Sequence, residues 1–279
     1  MTTTLHCGRY RLTLERPLIM GIVNLTPDSF SGDGVGDDVG AALRHAERLR
    51  AEGADILDLG AESSRPGAAP APAEVEIARL KPVLRALRDW GVPLSVDTCK
   101  PEVMRMAIDE GAALINDIMA LRAPGALECV AESDVGVCLM HMQGEPRTMQ
   151  VAPHYADVVE EVYVFLTARL MACQAAGIAR ERLIVDPGFG FGKTVEHNYA
   201  LLRELPRFTQ LGVPVLVGLS RKSMLGAVTQ QPPGPARMPA SVAAAVLAAE
   251  RGAAIVRVHD VAATKDALAV LAVLQGRGV

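Results

Sequence analysis

Aromatic residues are scarce in this chain: one Trp, four Tyr and five Phe among 279 residues, 4% in all. The core must then come from the aliphatic side chains that dominate an apolar share of 50%. That suits parallel strands covered by helices better than an antiparallel sandwich. No uninterrupted apolar run approaches the roughly 18 residues of a membrane span, so no membrane partner is expected. The opening segment, MTTTLHCGRYRLTL, lacks the basic stretch and apolar run of a signal peptide. Basic charge is not in excess either. Lys and Arg number 28 against 32 Asp and Glu, a net charge of −4, which argues against a nucleic-acid partner. The five cysteines, Cys7, Cys99, Cys129, Cys138 and Cys173, form no CxxC pair, so neither a disulfide framework nor a zinc site is indicated. These absences together describe a reduced, soluble, cytoplasmic protein.

What is present is a repeating pattern. Residues 5–7 and 10–14 read as a hairpin around Gly8-Arg9. Apolar runs of strand length follow at 18–23, 55–59, 92–96, 113–115, 136–139, 183–185, 215–217 and 254–258. Helical periodicity lies between them at 39–51, 74–90 (with Pro82 as a kink or break), from Pro101 onward, and at 124–133, 155–176, 196–205, 240–251 and 261–274. Residues 68–73 and 230–239 read as flexible or low-complexity stretches. From Asn24 to Arg257 the spacing averages about 33 residues per repeat, the size of a βα unit. Eight such units predict an α/β fold, a (β/α)8 TIM barrel with a short N-terminal β-hairpin, with a doubly wound open sheet as the alternative. Residues 1–279 are expected to form a single domain, with the hairpin in 1–16 and the barrel in 17–279.

Nearly every strand ends in a group that ionises, hydrogen-bonds or coordinates: Asn24, Asp58, Asp97, Asn116 with Asp117, His141, Asp186, Lys222, and Arg257 with His259. A single such residue is usually a turn former or a helix cap. Eight at the face where βα loops converge mark an active site, with Asp58, Asp117 and Asp260 as the members best suited to structural work. Arg65, Lys222, Arg257 and His259 supply cationic donors, and Ser63, Ser64 and Gly67 add hydroxyl and backbone groups, a set for a phosphate or diphosphate. Asp97, Asn116 and Asp186 suit a planar heterocycle bearing amino and ring N–H groups. Asn24 offers one neutral oxygen, enough for a magnesium ion that completes its shell with substrate phosphates and water. Phe30, Phe189 and Phe191, three of the five phenylalanines, sit beside loop glycines, where aromatics wall a pocket. The string Gly188-Phe-Gly-Phe-Gly-Lys-Thr194 imitates a phosphate-cradling loop, but Pro187 stands where its first glycine belongs. Gly32-Asp-Gly-Val-Gly36 likewise falls short of a dinucleotide fingerprint.

The same residues, in order, resemble the dihydropteroate synthase family over almost the whole chain. Met20-Gly-Ile-Val-Asn-Leu-Thr-Pro-Asp-Ser-Phe-Ser31 is similar to the family's first signature and Asp58-Leu-Gly-Ala-Glu-Ser-Ser-Arg-Pro-Gly67 to its second. Ser95-Val-Asp-Thr98, Asn116-Asp117, Met140-His-Met-Gln-Gly144, Asp186-Pro-Gly-Phe-Gly-Phe-Gly-Lys193, Ser220-Arg-Lys222 and Arg257-Val-His-Asp260 follow in family order. The resemblance implies a homodimeric barrel enzyme of folate biosynthesis, a sulfonamide target. It would condense 6-hydroxymethyl-7,8-dihydropterin diphosphate with 4-aminobenzoate, releasing pyrophosphate and forming 7,8-dihydropteroate. By position it implies Asn24 on Mg2+; Arg65, Arg257 and His259, with Ser64, on the diphosphate; and Asp97, Asn116, Asp186 and Lys222 around the pterin. Phe30, Pro66, Phe191, Ser220 and Lys222 would shape the 4-aminobenzoate site, and Asn24, Arg65, Asp97, Asp186 and Lys222 would form the catalytic set. His141 reads as structural.

Three features depart from the family pattern: Ser64 where threonine is frequent, Ala61 where a second glycine is common, and the segment 32–38. The competing readings are a pterin-binding methyltransferase-type barrel, which has no diphosphate to grip, a catalytically inactive synthase paralogue, and a non-catalytic phospholigand-binding barrel. The four cationic groups together favour the synthase.

Overall fold

The structure is a computed structural model and describes residues 4–26, 38–62, 71–145 and 148–276. Two short strands, β1 (Thr4–Cys7) and β2 (Tyr10–Thr13), pair antiparallel across a turn at Gly8. Eight parallel strands follow: β3 (Leu18–Asn24), β4 (Ile56–Gly60), β5 (Leu94–Asp97), β6 (Leu114–Asp117), β7 (Gly136–Met140), β8 (Leu183–Asp186), β9 (Leu216–Val217) and β10 (Ile255–Val258). They run in the order β8-β7-β6-β5-β4-β3-β10-β9. A parallel bridge between Val185 and Val215 joins the two ends of that order and closes the barrel. This is the TIM barrel with a hairpin that the spacing predicts.

Around the sheet lie α1 (Val39–Glu52), α2 (Ala73–Leu87), α3 (Pro101–Asp109), α4 (Ala126–Ala131), α5 (Val158–Ala175), α6 (Val195–Arg203), α7 (Leu205–Thr209), α8 (Ser223–Thr229), α9 (Met238–Glu250) and α10 (Val261–Leu274). Local chemistry starts and stops them. Asp38 accepts from Ala41 N to open α1, and Gly53, at φ 103°, ends it in the left-handed conformation that glycine adopts without steric cost. Pro101 opens α3, where its missing N–H has no helical partner to lose.

Two expectations are corrected and two short helices are added. Helix α2 runs unbroken through Pro82, whose solvent-exposed position lets water take the freed carbonyl. Residues 230–239 are not simply low-complexity: a 3-10 turn spans Pro235–Arg237, and α9 begins at Met238 with Pro239 in its first turn. The short helices α7 and α8 were not anticipated, since five and seven residues are too few to show a period.

Strand alternation sorts the core into two parts. Leu57, Leu59, Val96, Ile115, Val137, Leu139, Val185, Val217 and Val256 point outward and pack in one large cluster with the helices. Leu18, Met20, Ile56, Leu114, Cys138, Ile184, Leu216 and Ile255 form a separate inner cluster, sealed by Leu5 and Cys7 of the hairpin. The hairpin therefore plugs the amino-terminal mouth of the barrel. Side chains two residues further along the same strands face the same interior nearer the carboxyl ends.

Candidate active site

Counting in twos from that inner apolar layer reaches the polar residues. Leu18 and Met20 lead to Asn24, Ile56 to Asp58, Leu114 to Asn116, Cys138 to Met140, Ile184 to Asp186, and Ile255 to Arg257. The register sets Asn24 opposite Gly60, Gly60 opposite Asp97, and Asp97 opposite Asn116 across four adjacent strands. Glycine at position 60 keeps this floor open. A Cβ there would stand 3.6 Å from Asp97 Cβ, 3.9 Å from Asp97 Oδ2 and 4.0 Å from Asn24 Oδ1.

Arg257 is the hub of this floor. Its Nε donates to Asp58 Oδ2 at 2.6 Å and its Nη2 to Asp97 Oδ2 at 2.9 Å. Asn116 Nδ2 adds a longer contact to Asp58 Oδ2 at 3.4 Å. Asp58 is wholly buried, and such a charge is held only by a partner of opposite sign. Burial pushes the Asp97 carboxyl up from its ordinary range. The Arg257 guanidinium opposes this, while Asp58, Glu76 and Asp117 reinforce it. Among the described residues, Asp58 Oδ1 and Ser95 Oγ are buried without a hydrogen-bond partner. Asp58 had been expected to be structural; its alternation and its bond to Arg257 put it in the floor of the site. Asp117, on the opposite parity, does cap a turn, accepting from Met119 N and Leu121 N at 2.7 Å each. Asp260 forms a two-pronged pair with Arg221 at 2.6 and 3.1 Å.

The facing wall comes from the loops after β8 and β9. Asp186 Oδ1 accepts from Gly188 N at 2.7 Å, and burial raises its carboxyl against the pull of Lys222, that backbone N–H, Lys193 and Arg257. Lys222 Nζ donates to Phe189 O and lies 4.7 Å from the centre of the Phe191 ring. Burial lowers the Lys222 ammonium to about 8; Asp186 and Asp97 oppose the fall and Arg257 adds to it. Ser220 Oγ accepts from His259 N at 3.2 Å and lies 2.8 Å from His259 Nδ1.

The structure thus gathers Asn24, Asp97, Asn116, Asp186, Phe191, Ser220, Lys222, Arg257 and His259 at the carboxyl ends of the strands. Phe30, Ser64, Arg65 and Pro66 lie outside the described residues. Phe189, expected in a pocket wall, is instead fully buried in the outer core. It contributes its carbonyl rather than its ring.

Two polar groups were missed. Lys193, in the imitation phosphate loop, is only 3% exposed and lies near enough to Asp186 and Lys222 to feel both charges. Lys100 joins the fully buried Glu76 and also Glu62, at 2.7 Å, while Thr98 Oγ1 donates to Glu76 Oε2 at 3.1 Å. The one available signal was the acidic residue within the apolar face of α2, which needs a cationic partner.

Among the described residues, no group of three or more His, Cys, Asp or Glu is placed to hold a metal. The oxygens available here are instead the Asn24 amide oxygen and Asp97 Oδ2, which flank Gly60. That fits a hard cation taking few protein ligands and finishing its shell on phosphate and water.

A parallel barrel whose carboxyl-end face joins carboxylates, an amide and cations defines a class of enzymes that bind a polar heterocycle. Residues 20–259 match the model of the pterin binding enzymes, and the chain belongs to that family. It is 53% identical over 267 residues to the dihydropteroate synthase of Neisseria meningitidis serogroup C, covering 94% of each chain. Among solved structures, dihydropteroate synthase of Xanthomonas albilineans with 4-aminobenzoic acid superposes with a TM-score of 0.92 at 53% identity, covering 100% of both chains. The Burkholderia cenocepacia dihydropteroate synthase complexed with 7,8-dihydropteroate gives a TM-score of 0.89 at 54% identity, covering 98% of this chain and 97% of that one.

Proposed function

We propose that this chain carries out the dihydropteroate synthase reaction, joining 6-hydroxymethyl-7,8-dihydropterin diphosphate to 4-aminobenzoate with release of pyrophosphate. The observation that carries this reading is the floor in which Arg257 joins Asp58 and Asp97 beside Asn116, with Asp186 and Lys222 opposite. Carboxylates and an amide accept and donate in the pattern of an aminopterin ring, and the cationic groups face the charge that leaves.

In this reading Asp97, Asn116, Asp186 and Lys222 hold the pterin. Arg65, Arg257 and His259, with Ser64, hold the diphosphate. Phe30, Pro66, Phe191, Ser220 and Lys222 frame the arylamine. The bond from the pterin methylene carbon to the diphosphate oxygen breaks, and its electron pair leaves with pyrophosphate. Asp97 and Asp186 stabilise the resulting cation. The 4-aminobenzoate nitrogen then donates its lone pair to the methylene carbon and releases one proton to solvent. No side-chain nucleophile takes part. Asn24 would hold Mg2+, which when bound neutralises charge on the leaving diphosphate.

We extend the proposal to a cytoplasmic homodimer inhibited by sulfonamides. Among the described residues no helix is long and apolar enough to cross a membrane. Exposed apolar side chains on α10, Val270, Val273 and Leu274, offer surface for a second copy. The test is pyrophosphate release by purified protein: it should require both organic substrates and stop when a chelator removes magnesium. Protein that binds the pterin diphosphate but forms no 7,8-dihydropteroate with magnesium present would sink the reading.

A further inference from the structure

Lys193 is a buried lysine to which the proposed reaction gives no part. Its Nζ has three near partners: Gly188 O at 2.9 Å, Phe191 O at 3.0 Å and His141 Nδ1 at 3.0 Å, with His141 O further off at 3.5 Å. Burial pulls the Lys193 ammonium well below its ordinary range, and in either protonation state its N–H bonds reach the two carbonyls while the His141 Nδ1 contact runs in the direction that the ring tautomer sets. The His141 ring is held by edge contact with Phe165, centroids 4.9 Å apart. The imitation phosphate loop thus has its lysine turned inward onto the loop's own carbonyls.

The turn 188–192 so gripped is built for close approach. Gly188, at φ +73°, lies against the preceding loop so tightly that a Cβ would fall 1.8 Å from His141 O; at Gly192, φ +63°, one would fall 2.5 Å from Gln143 O. Tyr155 donates to Gly192 O at 2.8 Å, and Gly190 N donates to Asn198 Oδ1 at 2.6 Å. The other side of this turn faces the site. Its Phe189 carbonyl accepts from Lys222, its Phe191 ring lies beside Lys222 Nζ, and its Gly188 N–H holds Asp186.

We propose that Lys193 is a positioning residue: clamped by His141 and by the carbonyls of Gly188 and Phe191, it keeps the turn in the form that presents Phe189 O and the Phe191 ring to Lys222. It touches none of the reacting atoms and acts through the turn. The proposal rests on the synthase reading only for the choice of ligand.

The test is a double-mutant cycle on 7,8-dihydropteroate binding by calorimetry. Lys193→Met should weaken binding about tenfold in the native background and less than about twofold when Lys222→Met is already present, because both changes break one coupled unit. Equal losses in the two backgrounds would show a merely structural lysine and overturn the proposal. Should K193M fail to fold, H141F is read by the same criterion, since it keeps a ring against Phe165 and removes one partner. A ligand-free readout separates this idea from the functional one. The titration of Lys222, which Asp186, Asp97 and Arg257 face, is followed by lysine Cε NMR and assigned with K222M; it should move in K193M. Wild-type protein that binds no dihydropteroate counts against the synthase reading alone. An unmoved Lys222 titration counts against Lys193.

Discussion

Replacing Arg257 with methionine keeps an unbranched apolar stem and removes the guanidinium that Asp58 and Asp97 share. Asp58 is fully buried and Asp97 only 18% exposed at the side chain. Removing one partner of such an arrangement costs about 3–5 kcal/mol. The repulsion behind that figure can be worked separately. Two carboxylates bridged by one guanidinium stand within about 8 Å, and at an effective dielectric near 20 they repel by about 2–3 kcal/mol. That is roughly two pKa units, so the pair in Arg257→Met keeps a proton to higher pH than it does in the unfolded chain. The sign follows from proton counts: the folded variant binds more protons than its unfolded chain, so its stability falls as pH rises through the raised titration. Urea unfolding at pH 5.5 and pH 8 measures this. The deficit of R257M relative to the parent should be larger at pH 8 by about 1 kcal/mol. Adding Asp58→Asn, which removes one charge, should recover at least half of the pH 8 deficit. A deficit equal at both pH values, or one untouched by D58N, would refute the charge-balance argument.

Lys222, lowered to about 8 chiefly by burial, should lose its charge as pH rises through that value. The kcat/KM for the pterin diphosphate should then fall above pH 8, and Lys222→Arg should move that limb upward; an unchanged limb assigns it to another group. Lys100→Met leaves the fully buried Glu76 without its cation and should cost about 3–5 kcal/mol in urea unfolding. Most of that loss should return in K100M/E76Q, and a loss below about 1 kcal/mol would show that Lys100 does not balance Glu76.

Much of the barrel was legible because its information is local. A strand covered on both sides reads as a short apolar run, and eight such runs at βα spacing leave few ways to pack. The strand-end residues were legible for the same reason: polar groups directly after apolar runs converge at one face of a parallel barrel. Asp58 and Asp117 show where this reading fails. Each lies at a strand end, so composition treats them alike. The twofold alternation counted from the inner cluster sends Asp58 to Arg257 and Asp117 to a turn. The helix expected over 196–205 is α6, and α7 follows it as a separate short helix with Pro206 in its first turn.

The sequence by itself determined the repeat, the buried strands, the polar tips and, through their order, the family. Tertiary structure alone decided the pairings. Arg257 meets Asp58 across 199 positions and Asp97 across 160, Lys193 reaches His141 across 52, and Lys100 reaches Glu76 across 24. Closing the barrel brings these groups together. Once water is excluded, a buried charge or a bare carbonyl must find its partner wherever the fold has placed it.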